Sequence, residues 1–321
     1  MKMPEFKSIY SGQMRSFLNY RMSCGLKNVP SEYQCYRKLD KFLLAEGIEE
    51  ITFTKEQASR WRSRLENESD IARYKRINAT KKFFEYLFVQ GYHVFQFRDI
   101  KAPKKNFVPH IYTDDEVKRY FIAVDSYQSS FNRKNCIQLP VLFRILFSCG
   151  TRITETLMIR KKDVDLTEGI IKLSETKNAK ERYVVMSDSL FDLMKQYADK
   201  TFYQLSDNDY IFRNMHGKYI ASDWINELHI KILREAGIPY IGGGKGPRIH
   251  DWRHTYAVNA FKQMIDNGMD MYVALPILSI YLGHKTIMAT ERYLRLTVSM
   301  FPYLEEKFSK TLNEVFEEDQ K

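Results

Sequence analysis

Cysteine is scarce and scattered: four occur in 321 residues, at Cys24, Cys35, Cys136 and Cys149, with no C-x-x-C pair. That spacing gives neither a disulfide framework nor a thiolate set for zinc, and it fits a reducing compartment. No apolar run approaches the length of a membrane span, and the start, Met1-Lys2-Met3-Pro4-Glu5-Phe6, has no apolar signal segment. A soluble, cytoplasmic chain with no membrane partner is therefore expected. Internal repeats and low-complexity stretches are also absent. The glycine-rich stretch Gly242-Gly243-Gly244-Lys245-Gly246-Pro247 lacks the G-x-x-x-x-G-K-S/T spacing of a nucleotide-binding loop, and no strand is predicted before it.

Apolar residues make up 44%, enough for two domains that each bury a core. The net charge of +10 points toward a polyanionic partner. Most of the surplus lies early. Residues 1–111 carry 21 Lys/Arg against 12 Asp/Glu, residues 112–300 carry 26 against 22, and residues 301–321 carry 3 against 6.

Residues 5–92 read as four helices. Phe6, Ile9, Tyr10, Met14, Phe17 and Leu18 follow the helical period, and Ser31 is placed to cap a second helix ending at Gly47. Thr54 and Gln57 form a capping-box signal for a third, and a fourth spans about Ser69 to Gln90. Basic side chains gather here: Arg60, Arg62 and Arg64 around Trp61, then Arg73, Lys75 and Arg76. They suit either a solvated face or a module that presses cations onto phosphates. Residues 98–111 lack periodicity and carry two prolines with Lys104 and Lys105 among their bases, as an extended linker would.

A second capping box, Thr113 to Glu116, opens the next domain. A buried helix is predicted from Ile137 to Ser148, then a hairpin from residues 169–173 and 182–186, then helices from Ser187 and from Ser222 to Ala236. The class is thus mainly α with a small β-sheet.

Three short stretches carry reactive groups. Cys149-Gly150-Thr151-Arg152-Ile153-Thr154-Glu155 places an arginine on a loop-to-helix turn, where the plain reading is an i,i+3 ion pair with Glu155. The hairpin turn Thr176-Lys177-Asn178-Ala179-Lys180-Glu181-Arg182 offers lysines that would ordinarily be solvated. His250-Asp251-Trp252-Arg253-His254-Thr255, then Leu282-Gly283-His284 and Tyr293, supply imidazoles, a guanidinium and a phenol. Two guanidiniums can grip the non-bridging oxygens of a phosphodiester as charge develops. A histidine titrates near neutrality, a lysine can protonate a departing oxygen, and a tyrosine can attack phosphorus.

The order of these stretches resembles the tyrosine recombinase (phage integrase) family, closest in form to its Xer-like and transposon or integrative-element members. Gly150 to Glu155 matches that family's first arginine box. Residues 176–182 match its β-hairpin lysine turn, and His250 to Thr255 matches H-x-L-R-H-T, with Trp252 in place of leucine. Leu282-Gly283-His284 matches L-G-H, with the tyrosine nine residues beyond. The stretch Asn267–Pro276 looks longer than in compact members.

The resemblance implies an N-terminal helical core-binding (SAM-like) domain at 1–97 and a basic linker at 98–111. An α+β catalytic domain at 112–300 and a C-terminal helical tail at 301–321 for subunit docking complete the division. It implies Arg152, Lys177, His250, Arg253, His284 and Tyr293 as catalytic residues, Lys180 competing with Lys177, and His254 in a structural role. No metal and no cofactor are implied, and no carboxylate cluster is seen. Arg60, Arg62, Arg64, Arg73, Lys75, Arg76, Lys104, Lys105, Lys180, Arg182 and Lys245 are expected to contact DNA. The implied partner is double-stranded DNA with inverted-repeat core sites, bound by a chain that is a monomer when free and a tetramer on DNA. The implied chemistry is site-specific strand exchange through a 3′-phosphotyrosine and a Holliday junction. A type IB topoisomerase and a non-catalytic DNA-binding protein are the alternatives. The target site, and whether the role is integration, excision, inversion, transposition or dimer resolution, do not follow from sequence.

Overall fold

In the computed structural model the chain divides into two compact units, Met1–Phe107 and Val108–Lys321. The structure describes residues 3–26, 29–103, 108–128, 133–174, 181–242 and 246–284, with residues 286, 290, 293, 296, 297, 300 and 301 beyond.

The first unit packs α1 (Ser11–Ser23), α2 (Tyr33–Ala45), α3 (Lys55–Arg62) and α4 (Asp70–Val89). Its core is aromatic: Tyr10, Phe17, Tyr36, Phe53, Trp61, Phe83 and Phe84 are all buried. Edge-to-face contacts such as Phe53 on Phe84 at 4.8 Å add to that burial. Thr54 caps α3 through the expected box, its hydroxyl accepting from the Gln57 amide while the Gln57 side chain accepts from the Thr54 amide.

Two boundaries differ from expectation. The first helix begins at Ser11, after Phe6 and Tyr10, and Ile9 is 46% exposed. The amides of Lys7 and Ser8 donate to the Asp40 carboxylate instead, pinning that segment to α2. Ser31 lies inside a 3-10 turn, Val29–Glu32, and the second helix starts only at Tyr33.

Arg76, expected on DNA, is a correction of a different kind. It is 1% exposed, with Nε and Nη2 donating to Glu68 at 2.7 and 2.6 Å. Its guanidinium lies 4.4 Å over the Trp61 ring and also donates to the Trp61 and Ser63 carbonyls. All three of its nitrogens serve the α3–α4 junction.

In the second unit α5 (Asp114–Asp125), α6 (Arg133–Cys149), α7 (Ile153–Leu157), α8 (Asp188–Thr201) and α9 (Ser222–Glu235) surround one core. Strands β1 (Val164–Asp165), β2 (Ile170–Leu173) and β3 (Arg182–Val185) form an antiparallel sheet in the order β1-β2-β3. Val184 and Ile171 pair across it and are buried, whereas Tyr183 and Val185 face outward. Two further helices, α10 (Ile249–Asp266) and α11 (Met271–Leu282), pack together. The stretch 267–276 thus holds the α10–α11 turn and the first residues of α11. Among the described residues no helix is long and apolar enough to cross a membrane.

Trp252 explains how α10 is seated. Its ring stacks on Tyr112 at 3.8 Å and 4°, with Tyr120, Phe121 and Phe147 around it. The Tyr112 amide donates to the Thr255 hydroxyl at 3.0 Å, and the buried Ile111 joins the α10–α11 cluster. Residues 111 and 112 therefore bind the start of the second unit along α10. The C-terminal end of the expected linker belongs to that core.

Replacing Arg76 with Met should lower the stability of the chain by about 3–5 kcal/mol, because it strands the buried Glu68 carboxylate. Denaturant unfolding checks this. A variant of native stability that bound DNA with a shallower salt dependence would return Arg76 to the DNA surface.

Candidate functional site

The site is assembled where α11 ends. Gly283 adopts a left-handed φ of +65° there, its amide donating to the Ile280 carbonyl and the His284 amide to that of Ser279. This paired closure halts the helix and turns His284 away from its axis. The last carbonyls of a helix carry the negative end of its dipole and need donors from elsewhere.

Arginines supply them. Arg253 Nη2 donates to the Leu282 carbonyl, and Arg152 Nη2 reaches that of Gly283 at 3.4 Å. Arg253 Nη1 donates to the Gly150 carbonyl at 2.8 Å. Gly150 has a φ of +58°, and a Cβ built on it would lie 2.3 Å from the Tyr256 ring, so only glycine fits. The Gly-x-Arg order in sequence thus serves two contacts: a backbone approach to α10 at Gly150, and Arg152 set at the start of α7.

Glu155 is the counter-charge. It is 3% exposed and accepts from the Arg152 amide at 2.9 Å and from Arg152 Nη1 at 2.5 Å. Arg182 of β3 binds the same carboxylate through both Nη atoms, at 3.1 and 2.6 Å. Burial works against the charged form, but the bonds and charge of Arg182, with Arg152 behind them, hold the Glu155 carboxyl down at about 2. The i,i+3 pair read from sequence is real and is half of a larger arrangement.

Arg253 is 1% exposed, and burial together with the charge of Arg152 brings its guanidinium down to about 10, still cationic at neutral pH. His284 Nε2 lies 3.2 Å from Arg253 Nη2, and its Nδ1 lies 2.7 Å from the Thr290 hydroxyl. Since arginine only donates, Nε2 accepts and Nδ1 carries the proton. Burial, then Arg253 and Arg152, lowers His284 to about 4. Three guanidiniums thus face one carboxylate and a neutral imidazole, an arrangement that favours an anion.

Tyr293 is 2% exposed, its ring stacked on His284 at 5.9 Å and 7° and tilted against His254 at 5.4 Å. It shares a cluster with Ala257, Val258, Phe261 and Leu282. His250 is exposed at the start of α10, its ring 4.8 Å from His254. Arg152, Arg253, His284 and Tyr293 therefore come together, with His250 one ring away through His254. Lys177, Lys180, Lys104, Lys105 and Lys245 lie outside the described residues, as does the expected tail beyond Phe301.

The other expected DNA contacts are surface groups of the first unit. Arg60 pairs with Glu46, Arg64 with Asp70, Arg73 donates to the Arg62 carbonyl at 2.8 Å, and Lys75 is exposed. Arg62, Arg73, Tyr74 and Lys101 line one groove. Arg182 departs from expectation: it is turned inward onto Glu155, its side chain 11% exposed.

Sequence reasoning missed Glu155 as a shared anchor and Thr290 as the partner of His284. It also missed His229, buried on α9. Its Nδ1 lies 2.7 Å from the Tyr120 hydroxyl and its Nε2 3.4 Å from that of Tyr112, and the ring also bonds the Pro247 backbone just before α10. Burial lowers it to about 3. No spacing signals it, because its partners come from distant segments.

Comparison with known proteins fixes the class. The phage integrase family matches residues 111–300, more than half of the chain, and the chain belongs to that family, the tyrosine recombinases. It is 34% identical over 162 residues to a probable integrase/recombinase of Methanocaldococcus jannaschii, covering 49% of this chain and 45% of that protein. The match thus spans under half the length of that relative. With the tyrosine recombinase XerC of Staphylococcus saprophyticus it shares 27% over 227 residues, 70% of each chain. Its fold is that of the XerH site-specific recombinase in a post-cleavage complex with palindromic difH substrate. The TM-score is 0.65, at 16% identity over 91% of this chain and 87% of that one. A lambda integrase dimer bound to a core site gives 0.63, at 14% identity over 88% and 94%.

His284 and His229 are held neutral below the ordinary 6.5, and Glu155 is held ionised below the ordinary 4.5. In each case the unfolded chain binds protons first as pH falls. Stability should therefore decline from about pH 6.5 downward, read as a falling melting temperature. His229→Gln should flatten that decline; an unchanged slope would show that His229 does not contribute.

Proposed function

We propose that this chain cuts and rejoins double-stranded DNA at specific sites, with Tyr293 as the nucleophile. The observation that carries this reading is the convergence of Arg152 and Arg253 with His284 at one helix end, the Tyr293 ring against that imidazole.

In this scheme a phosphodiester enters the cationic cluster, and its non-bridging oxygens take N–H donors from Arg152 and Arg253. The charge of the pentavalent state is then met by groups fixed beforehand by α7, α10 and the α11 turn. The Tyr293 oxygen bonds to phosphorus as the bond to the 5′ oxygen breaks. The phenolic proton passes to His250, and the leaving oxygen takes a proton from Lys177, with Lys180 the competing donor. The product is a 3′-phosphotyrosine and a free 5′ hydroxyl. Attack by a 5′ hydroxyl from a second duplex reverses the chemistry, releases the tyrosine and joins exchanged strands through a Holliday junction. Tyr293 is sheltered before DNA binds, so a phosphate reaches it only after the segment around it shifts.

The parts then follow: residues 1–97 as a core-binding domain, 98–111 as a basic linker and 112–300 as the catalytic domain. Residues 301–321 are the docking tail of a chain that is a monomer when free and a tetramer on inverted-repeat sites, in the cytoplasm. Arg60, Arg62, Arg64, Arg73 and Lys75 are the first unit's proposed DNA contacts.

On a nicked suicide substrate, Tyr293→Phe should form no covalent protein–DNA adduct while binding the duplex with native affinity. Adduct formation by that variant would remove Tyr293 from its role. Binding without any adduct from the native chain would leave a DNA-binding protein, and relaxation of plasmids lacking a site would indicate a topoisomerase.

Arg253→Lys keeps the charge but loses the two-pronged donor. Cleavage should fall by roughly 10²–10³-fold, the loss typical of removing one transition-state donor. Single-turnover rates at saturating protein measure it.

A further inference from the structure

We propose that Arg182 is a positioning residue, which fixes Glu155 so that Glu155 in turn orients Arg152, and that it does not itself contact the DNA backbone. The proposal rests on the reading of Arg152 as a phosphate-binding group.

The geometry is specific. Both Nη atoms of Arg182 are spent on the two oxygens of Glu155, at 3.1 and 2.6 Å, a bidentate pair with side chains 11% and 1% exposed. Such a fork fixes the plane of a carboxylate as well as its place. Arg182 is closed in from the other side too: a Cβ on Gly283 would lie 3.3 Å from Arg182 Nη1. Its Nε is also buried, with no acceptor among the described residues. With the side chain 11% exposed, little of this guanidinium's N–H edge is left open to a phosphate.

Arg152 is placed differently. Its side chain is 18% exposed, and Nη1 is held by Glu155 at 2.5 Å. Among the described residues its only other side-chain bond is the 3.4 Å approach to the Gly283 carbonyl. Arg152 can turn toward an incoming anion while Glu155 grips one edge, provided Glu155 stays still and charged. Arg152 alone would give this nearly buried carboxylate one cationic donor, at Oε1, and only a neutral backbone amide at Oε2, and burial favours the neutral form. Arg182 supplies the second cation. It does so from the first residue of β3, opposite Leu173 in the ladder, so β3 is tied to the helix that begins after Arg152.

The test separates positioning from phosphate contact. Arg182→Met, Arg182→Lys, Glu155→Gln and the double variant Arg182→Met/Glu155→Gln would be compared with the native chain, each first shown to melt cooperatively. Affinity for a duplex carrying one binding site is measured against salt, and cleavage on the nicked suicide substrate in single turnover. We expect Arg182→Met to bind with native affinity and an unaltered salt slope, yet to cleave about 10- to 100-fold more slowly, as displacement of a reacting group does. Arg182→Lys should recover part of that loss, and adding Glu155→Gln to Arg182→Met should cost nothing further. A salt slope reduced by about one with weaker binding would mark a phosphate contact and overturn the proposal. Losses that multiply in the double variant would overturn it as well.

A second readout does not need cleavage. The Arg152 guanidinium resonance, followed by nitrogen-15 NMR, should shift and broaden in Arg182→Met and stay sharp in Arg182→Lys. If the native chain forms no adduct, the assignment of Tyr293 fails by itself. The Arg152 resonance then decides: an unchanged line in Arg182→Met overturns the positioning role of Arg182.

Discussion

Two guanidiniums held on a single buried carboxylate, with a third close beside them, are the interaction on which the second unit turns. Arg152 stands at the start of a short helix, Arg182 on a strand and Arg253 on a long helix; Arg152 and Arg182 bind Glu155, while Arg253 and Arg152 reach the carbonyls where α11 ends. Like charges at such range repel, and burial with that repulsion lowers Arg253 to about 10. The cluster persists because Glu155 and the carbonyls of Gly150, Leu282 and Gly283 accept from all three guanidiniums. What remains unbalanced is charge. A site with surplus positive charge and fixed donors is preorganised for an anion, and the energetic cost of gathering it is met by folding, before any ligand arrives.

The second constraint is the seating of α10. That helix bears His250 and Arg253, together with His254, so any error in its placement moves two expected site residues at once. Trp252, facing inward from the same helix, is clasped by Tyr112 and edged by Tyr120. Asp251 accepts the Arg248 amide at the helix start, and Thr255 receives the Tyr112 amide. His229 ties Tyr120 to the carbonyl just before α10. Polar groups this deeply buried are specific only when satisfied, and Thr255 and His229 find their partners on other segments.

Much of the fold was readable because local rules agree with the tertiary outcome. The boxes at Thr54 and Thr113 cap helices, and the hairpin strands alternate in burial as β-sequence should. The misjudged boundaries have local causes: Asp40 takes the amides ahead of α1, and a 3-10 turn occupies Ser31. Charge was the least legible property. Arg76 sits in a basic run with Arg73 and Lys75 and is the most deeply buried of the three. Nothing in one dimension distinguishes an arginine facing solvent from one facing a glutamate eight residues earlier and a tryptophan ring.

The sequence alone determined which reactive residues exist, their order, and the family to which that order belongs, because motif spacing reflects turns and helix starts that are locally encoded. Only the tertiary structure decided which cations share a counter-charge, that Arg182 faces inward, and that Tyr293 rests buried against a neutral His284. Those outcomes depend on distance and desolvation between segments up to about 130 residues apart, as for Arg152 and Gly283. Neither quantity has any expression along the chain until the chain is folded.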